Sequence, residues 1–379
     1  MATLTGRVDS YDHTVPRKRT VADRLLLTSA FDRATIDALG LDNSAKFRFV
    51  NEPNRVYEWL EDNYVARTDT LTSSGGLTSD STTTTCLVTT PKLYIIGSVI
   101  LIDAEYMWVS AISSSTLTLV RARGGTQATH ANSATVTIVG TARLEGADAS
   151  DSPTTESAST SNHSQILFRK VEMSRNHRMF PNYGVSDFWD YQIDKYMDEL
   201  VIELDQIPYH GNKQAGSSSH AQGRGAGGFE EFISSNTTAA ASAQLTRKNI
   251  DDNLALAYAA GGSPDLLLCG TWQQRVINSL YENFITTERS ERTGGNLITT
   301  LDPPIGGMRP IQIVVDRFCP TDSVYLIDRR YCGYITIEPF FFEMLGKTGD
   351  ADKGELIGEY GFVLAYEDAH AYINGLATS

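Results

Sequence analysis

The chain of 379 residues has only four cysteines, Cys86, Cys269, Cys319 and Cys332, and none forms a CxxC pair. That spacing argues against a disulfide framework or a zinc ribbon and fits reduced thiols in a cytoplasmic fold. Cys269 and Cys319 are expected in apolar strands. Long apolar runs are missing too. The longest, 93–102, is interrupted and too short to span a bilayer. The first twenty residues have no apolar stretch of the kind a signal peptide needs, so the sequons at Asn162 and Asn236 have little meaning as glycan sites. Positive charge is in deficit: 32 basic against 46 acidic side chains leave a net −14. A surface given over wholly to nucleic acid is thereby excluded, since each phosphate contact needs a local cation.

Catalytic constellations are equally scarce. The seven histidines (13, 130, 163, 177, 210, 220, 370) form no HxxxH or HxH pair, and no GxSxG is present. Gly223-Arg-Gly-Ala-Gly-Gly228 matches GxGxxG, but a polar loop precedes it instead of a strand, so a mobile surface loop is the expectation. Gly346-Lys347-Thr348 lacks the upstream glycine of a phosphate loop, with Phe341 in that place. Asp350-Ala-Asp-Lys-Gly-Glu355 starts like a calcium loop without its distal ligand, and a solvated turn is expected. Asp194 and Asp198 stand one turn apart on a helix and fit a solvated face. No catalytic residue, cofactor or metal site is expected, and the chain is not expected to be an enzyme.

Architecture is what remains. Residues 1–48 are polar, hold the basic knot Arg17-Lys18-Arg19, and have too little apolar surface to fold alone, apart from a short helix expected from about Thr20. A strand is expected at 55–60. Between 70 and 90, 13 of 21 residues are Ser or Thr, followed by short β-rich stretches at 98–102, 105–112, 116–121 and 134–139. These predict a compact all-β module, a small barrel or sandwich. The polar stretch 147–164 reads as a linker and 165–173 as a strand. The module thus sits inside a long hairpin. A helix is expected over 185–207, capped by Ser186 or Asp187 and ended by Pro208 and Gly211. A flexible Gly/Ser loop follows, and then an α/β region with helices at 247–260 and 272–284 and strands at 265–269, 311–315, 324–327, 333–337 and 361–366. Ordering the arm and hairpin costs about 1–2 kcal/mol per residue, which contacts with other chains would have to offset.

In this order the stretches YEWLEDNYVARTDTL (57–71), TLTLVRARGGTQATHANSATVTIVGTARLEGADAS (116–150), SQILFRKVEMS (164–174), YQIDKYMDEL (191–200) and FFFEMLGKTGDADKGELIGEYGFVLAYEDAHAYINGL (340–376) resemble the major capsid proteins of tailed bacteriophages. The similarity is to the subgroup with a small β-domain in the E-loop. It implies an α+β Johnson fold, the Hong Kong 97 type. The N-arm would be 1–48, the E-loop 49–70 and 143–183, and its inserted β-domain 71–142. The spine helix and Gly/Ser loop of the P-domain would be 184–228, the A-domain 229–327, and the P-domain sheet 328–379. The implied role is a head protein of a double-stranded DNA phage, assembled in the bacterial cytoplasm into hexamers and pentamers of an icosahedral or elongated shell. Partners would be many copies of the chain, scaffold, portal and cement proteins, and packaged DNA met without specificity; no membrane is implied. Arg17, Lys18 and Arg19 could contact nucleic acid or match an acidic surface on a neighbouring subunit, and the net −14 favours the second. Trp59 and Phe168 fit either apolar anchors on the adjacent subunit or the chain's own core. Glu61, Asp62, Arg169 and Lys170 are available as polar partners. An encapsulin-type shell protein, a tail or receptor-binding protein, and a hydrolase whose site assembles only in space are the alternatives.

Overall fold

The computed structural model describes residues 31–47, 54–80, 84–148, 152–180, 185, 187–217, 222–280, 285–289, 297–301, 308–347 and 349–378. The helix expected from Thr20 and the knot at 17–19 lie outside them. The chain divides into two compact units, one of residues up to 59 with 160 onward, the other of 60–159.

In the first unit the chain begins with two short helices, α1 (Ala34–Leu39) and α2 (Ser44–Phe47). Strand β1 (Val56–Glu61) pairs with β8 (Ala158–His163), and the division between the units falls within both strands. The end of the supposed linker is therefore a strand, despite its Ser, Asn and His, because it has a partner to pair with. Strand β9 (Gln165–Ser174) follows, then α3 (Arg175–Met179) and the long α4 (Phe188–His210).

Asp187 caps α4 by accepting from Trp189 N at 2.8 Å. Leu200, Leu204 and Ile207 recur at helical spacing and are buried. Proline does not end the helix as the sequence suggests. It runs through Pro208 to His210, and Gly211 N donates to Ile207 O at 2.8 Å. Proline forfeits one amide bond and crowds the carbonyl four residues back. In a final turn whose outer side is held by tertiary packing, that loss is tolerated.

β9 joins β17 (Ala351–Leu364) and β16 (Cys332–Leu345) in a three-stranded antiparallel sheet ordered β16-β17-β9. Sequence reading finds only the apolar ends of this hairpin. Its outer half alternates charged and apolar residues, so Asp350–Glu355 resembles a turn. Strand begins at Ala351, Arg178 holds Asp352 at 2.9 Å, and Lys353 lies 3.4 Å from Glu172. Gly354 and Gly358 are strand glycines because a Cβ there would meet the rings of Phe342 and Phe340 at 2.3 and 2.6 Å.

The helix α5 (Phe229–Phe232) leads into a seven-stranded mixed sheet, ordered β10 (Thr237–Ala239), β18 (Ala371–Asn374), β15 (Val324–Ile327), β11 (Leu266–Cys269), β14 (Ile311–Val315), β13 (Leu297–Leu301), β12 (Ile285–Arg289). Side chains alternate between its faces. Leu266, Leu268, Tyr325 and Ile327 join the core that holds Leu204, Ile207 and Tyr209 of α4. Leu267, Cys269, Val324 and Leu326 join a second core with Ile250 and Leu254 of α6 (Arg247–Ala259) and Ile277 of α7 (Thr271–Leu280). Strands covered on both sides read as unbroken apolar runs, which is why β11 and β15 are plain in the sequence. All four cysteines are free and buried. Burial pushes the Cys86 and Cys269 thiols up to about 12. Cys319 lies in a bend after β14 and not in a strand as expected.

The second unit is a six-stranded antiparallel sheet ordered β2 (Thr68–Thr70), β7 (Thr135–Thr141), β4 (Ser98–Ile102), β5 (Glu105–Ser113), β6 (Thr116–Val120), β3 (Thr85–Leu87). A bridge from Leu71 to Val88 joins its two edges and closes the sheet on itself. Ile100, Ile102, Met107, Val109, Leu117, Leu119 and Val136 fill the inside.

Candidate assembly interface

The proposed contact residues end up in quite different settings. Trp59 is 7% exposed, stacks on Tyr57 with centroids 6.3 Å apart, and touches Phe232 at 5.7 Å, so it belongs to the chain's own core. Phe168 is 57% exposed. β9 explains the contrast. Leu167, Val171 and Met173 point inward, the last two packing with Trp189, while Ile166 and Phe168 point out. Register sets Phe168 beside Ile357 and Ile357 beside Phe341, another exposed side chain, so an apolar row crosses the solvent face of the sheet. Lys170, ion-paired with Glu172, and Glu355 flank it.

Arg169 turns the other way and ion-pairs with Glu203 and, at 3.6 Å, Glu199 of α4. In the second unit Asp62 accepts from the Thr155 hydroxyl at 2.8 Å, and Glu61 ends β1. Arg17, Lys18 and Arg19 lie outside the described residues.

The glycine motif is only in part the surface loop expected: Gly223 is exposed, and its far end turns inward. Ala226–Gly228 is buried, and each amide is taken by the chain itself. Gly225 N donates to Gln214 O at 3.0 Å, Ala226 N to Gln165 Oε1 at 3.2 Å, Gly227 N to Asn162 Oδ1 at 2.9 Å and Gly228 N to Gly211 O at 3.0 Å. A phosphate cradle needs those amides free. Glycine is required by close approach: a Cβ on Gly228 would sit 2.4 Å from Pro208 O.

Asn162, fully buried, is the clasp on this segment. Its Nδ2 donates to Gly227 O at 3.1 Å and Phe362 O at 2.7 Å, so β8, the glycine segment and β17 meet on one side chain. Asn236 likewise donates to Asp368 O and His370 O at 2.7 and 3.1 Å. Both sequons are thus interior structure. A lone Asn between polar neighbours gives no sequence signal of such a role.

The second unit holds a buried ionic knot. Glu105 accepts from Arg121 Nε and Nη2 at 3.1 and 2.7 Å, Ala122 N at 3.0 Å, Ala128 N at 2.9 Å and His130 Nε2 at 2.9 Å. Burial alone would raise this carboxyl, but the bonds from Arg121, Ala128, His130 and Ala122 overcome it and hold the group at about 2. The knot fastens the loop 121–130 onto the start of β5.

A sequence profile of the SU10 major capsid protein family matches residues 4–377. The chain belongs to that family. This capsid protein is similar in fold to the Cyanophage A-1(L) capsid asymmetric unit, with a TM-score of 0.54 at 11% identity over 97% of this chain and 99% of that one. It is similar also to the capsid of Myoviridae Phage XM1, with a TM-score of 0.51 at 9% identity over 98% and 100%. No curated protein matches it in sequence. The mixed α/β capsid protein thus has the Hong Kong 97-type fold, and its role is structural, as a component of the virion shell formed by self-association. No helix among the described residues is long and apolar enough to cross a membrane.

Proposed function

We propose that this protein builds the head of a tailed, double-stranded DNA phage as hexamers and pentamers, and that the outer face of the β16-β17-β9 sheet is covered by a neighbouring copy. The observation that carries the second statement is the apolar row Phe168–Ile357–Phe341, with exposed Ile166 beside it and a charged rim. Each contact would bury a modest area, and closure by symmetry would make the sum of many weak contacts strong.

In this reading residues 1–48 act as an N-arm, with Arg17, Lys18 and Arg19 meeting acidic surface on a neighbour. Residues 49–70 and 143–183 form the E-loop, 184–228 the spine segment, 229–327 the A-domain and 328–379 the P-domain sheet. Residues 71–142 form an inserted β-domain on the outside that reinforces contacts between copies. Glu61, Asp62 and Lys170 serve as polar partners across the contact, while Trp59 and Arg169 act within their own subunit. Scaffold, portal and cement proteins would guide and seal assembly in the host cytoplasm, and a net −14 would keep the wall from gripping packaged DNA.

Electron microscopy of the purified, concentrated protein tests the reading: closed shells or flat hexameric sheets are expected. Dispersed single subunits under every condition would overturn it. Shells of unchanged strength after deletion of 71–142 would remove the reinforcing role.

A further inference from the structure

Six-residue α1 is too short to persist by its own backbone bonds. Polar ties hold it. Ile36 N donates to Asp205 Oδ1 on α4 at 2.8 Å. The Thr35 hydroxyl donates to Asp316 Oδ2, just after β14, at 2.7 Å. Its single proton is then spent, so the Tyr209 hydroxyl, 2.5 Å away, donates to Thr35 Oγ1. Phe318 N donates to the other Asp316 oxygen at 2.8 Å.

Thr35, Asp205 and Asp316 are all fully buried. Two carboxyl groups therefore share one enclosure. The other groups facing the pair are Asp32 ahead of α1 and Tyr334 on β16, which face Asp205, and Tyr209 one turn along α4 and Cys319 after β14, which face Asp316. None of these is a cation. Arg33, at the N-cap of α1, is turned to Asp37 at 3.1 Å, half-exposed. Asp205 Oδ2 and the Tyr334 hydroxyl are buried with no hydrogen-bond partner among the described residues. An ionised carboxylate with a bare buried oxygen beside a second carboxylate is strongly disfavoured; a protonated one costs far less.

We propose that Asp205 and Asp316 form a protonation-controlled latch for α1, closed while the pair holds one proton and loosened when it holds none. α1 is the first helix of the described residues, so the latch governs how firmly residues 31–39 are held to the rest of their unit. The inference does not depend on the assembly reading, since it concerns a single chain.

The sign follows from linkage. Burial first, and then the Asp316 charge, push the Asp205 carboxyl up from 3.8 to about 8 in the closed state. With α1 undocked the carboxyl reaches water and regains its ordinary value. Between about pH 4 and 8 the open form releases a proton that the closed form keeps, so the open fraction grows by up to tenfold per pH unit. Below and above that window it is flat.

Amide hydrogen exchange at Ile36 and Gly40, corrected for intrinsic rates, reads the opening constant in unassembled wild-type chains. The expected rise from pH 5 to 8 is up to about a thousandfold. Asp205→Asn, isosteric and neutral at every pH, should remove the dependence and keep α1 docked. Asp316→Asn, which takes away the neighbouring charge, should confine the rise to lower pH. A flat wild-type profile, a slope retained in Asp205→Asn, or an unshifted slope in Asp316→Asn would overturn the proposal.

Discussion

Truncating Asn162 to alanine should unfold more of this protein than any change at its exposed faces. The side chain is fully buried and makes three bonds to the backbone of distant segments, with Gly227 N, Gly227 O and Phe362 O. Phe362 O keeps a second partner, the Tyr57 hydroxyl at 2.8 Å, so its loss is small. Gly227 loses the partners of both its N and its O at once. Each orphaned buried group costs about 1–3 kcal/mol, giving about 2–6 kcal/mol for the pair. That is a large part of a typical domain stability of about 5–15 kcal/mol. The assay is guanidinium unfolding of dispersed subunits, held too dilute to associate, with exchange of the Gly227 amide as a local readout. Asn162→Asp should be no better, since it sets carboxylate oxygen against two carbonyls. Lys170→Ala, at the exposed rim, is the control and should stay within about 0.5 kcal/mol. A loss below about 1 kcal/mol for Asn162→Ala, with the Gly227 amide still protected, would refute the clasp.

Gly228→Ala should destabilise by about 1–3 kcal/mol, because the added methyl meets the Pro208 and Ile207 carbonyls at 2.4 and 2.6 Å; thermal melting checks it. Glu105 is held near 2, below its ordinary 4.5, so its contribution is present above about pH 4.5 and is lost as pH falls towards 2. At about 1.4 kcal/mol per unit this is about 3 kcal/mol. Acid titration followed by Trp108 fluorescence should show the loss in wild type and its absence in an already weakened Glu105→Gln. Phe168→Asp should leave subunit stability within about 0.5 kcal/mol while suppressing shell formation seen by electron microscopy. Normal shells would remove that sheet face from the interface.

The sequence by itself determined what depends on local pattern. α4 shows in its helical stripe and acidic cap, β11 and β15 in apolar runs, and the strands β4 to β6 in their alternation between short turns. The order and spacing of the longer stretches were enough to suggest the family. Tertiary structure decided whatever rests on a partner far along the chain. The outer half of the β16-β17 hairpin looks like loop because Asp352 and Lys353 find counter-ions far along the chain, Arg178 on α3 and Glu172 on β9. The glycine segment looks mobile because the Asn that clasps it lies 65 residues away. Trp59 and Phe168 are both bulky strand aromatics, and only the packing around Phe232 on one side and open solvent on the other separates a core residue from a surface one. Asp205 reads as one more acid on an acidic helix until the fold sets Asp316 and Thr35 against it. Periodicity records which face of an element is buried. It holds no record of what the burying element brings, and that is where the chemistry of this chain lies.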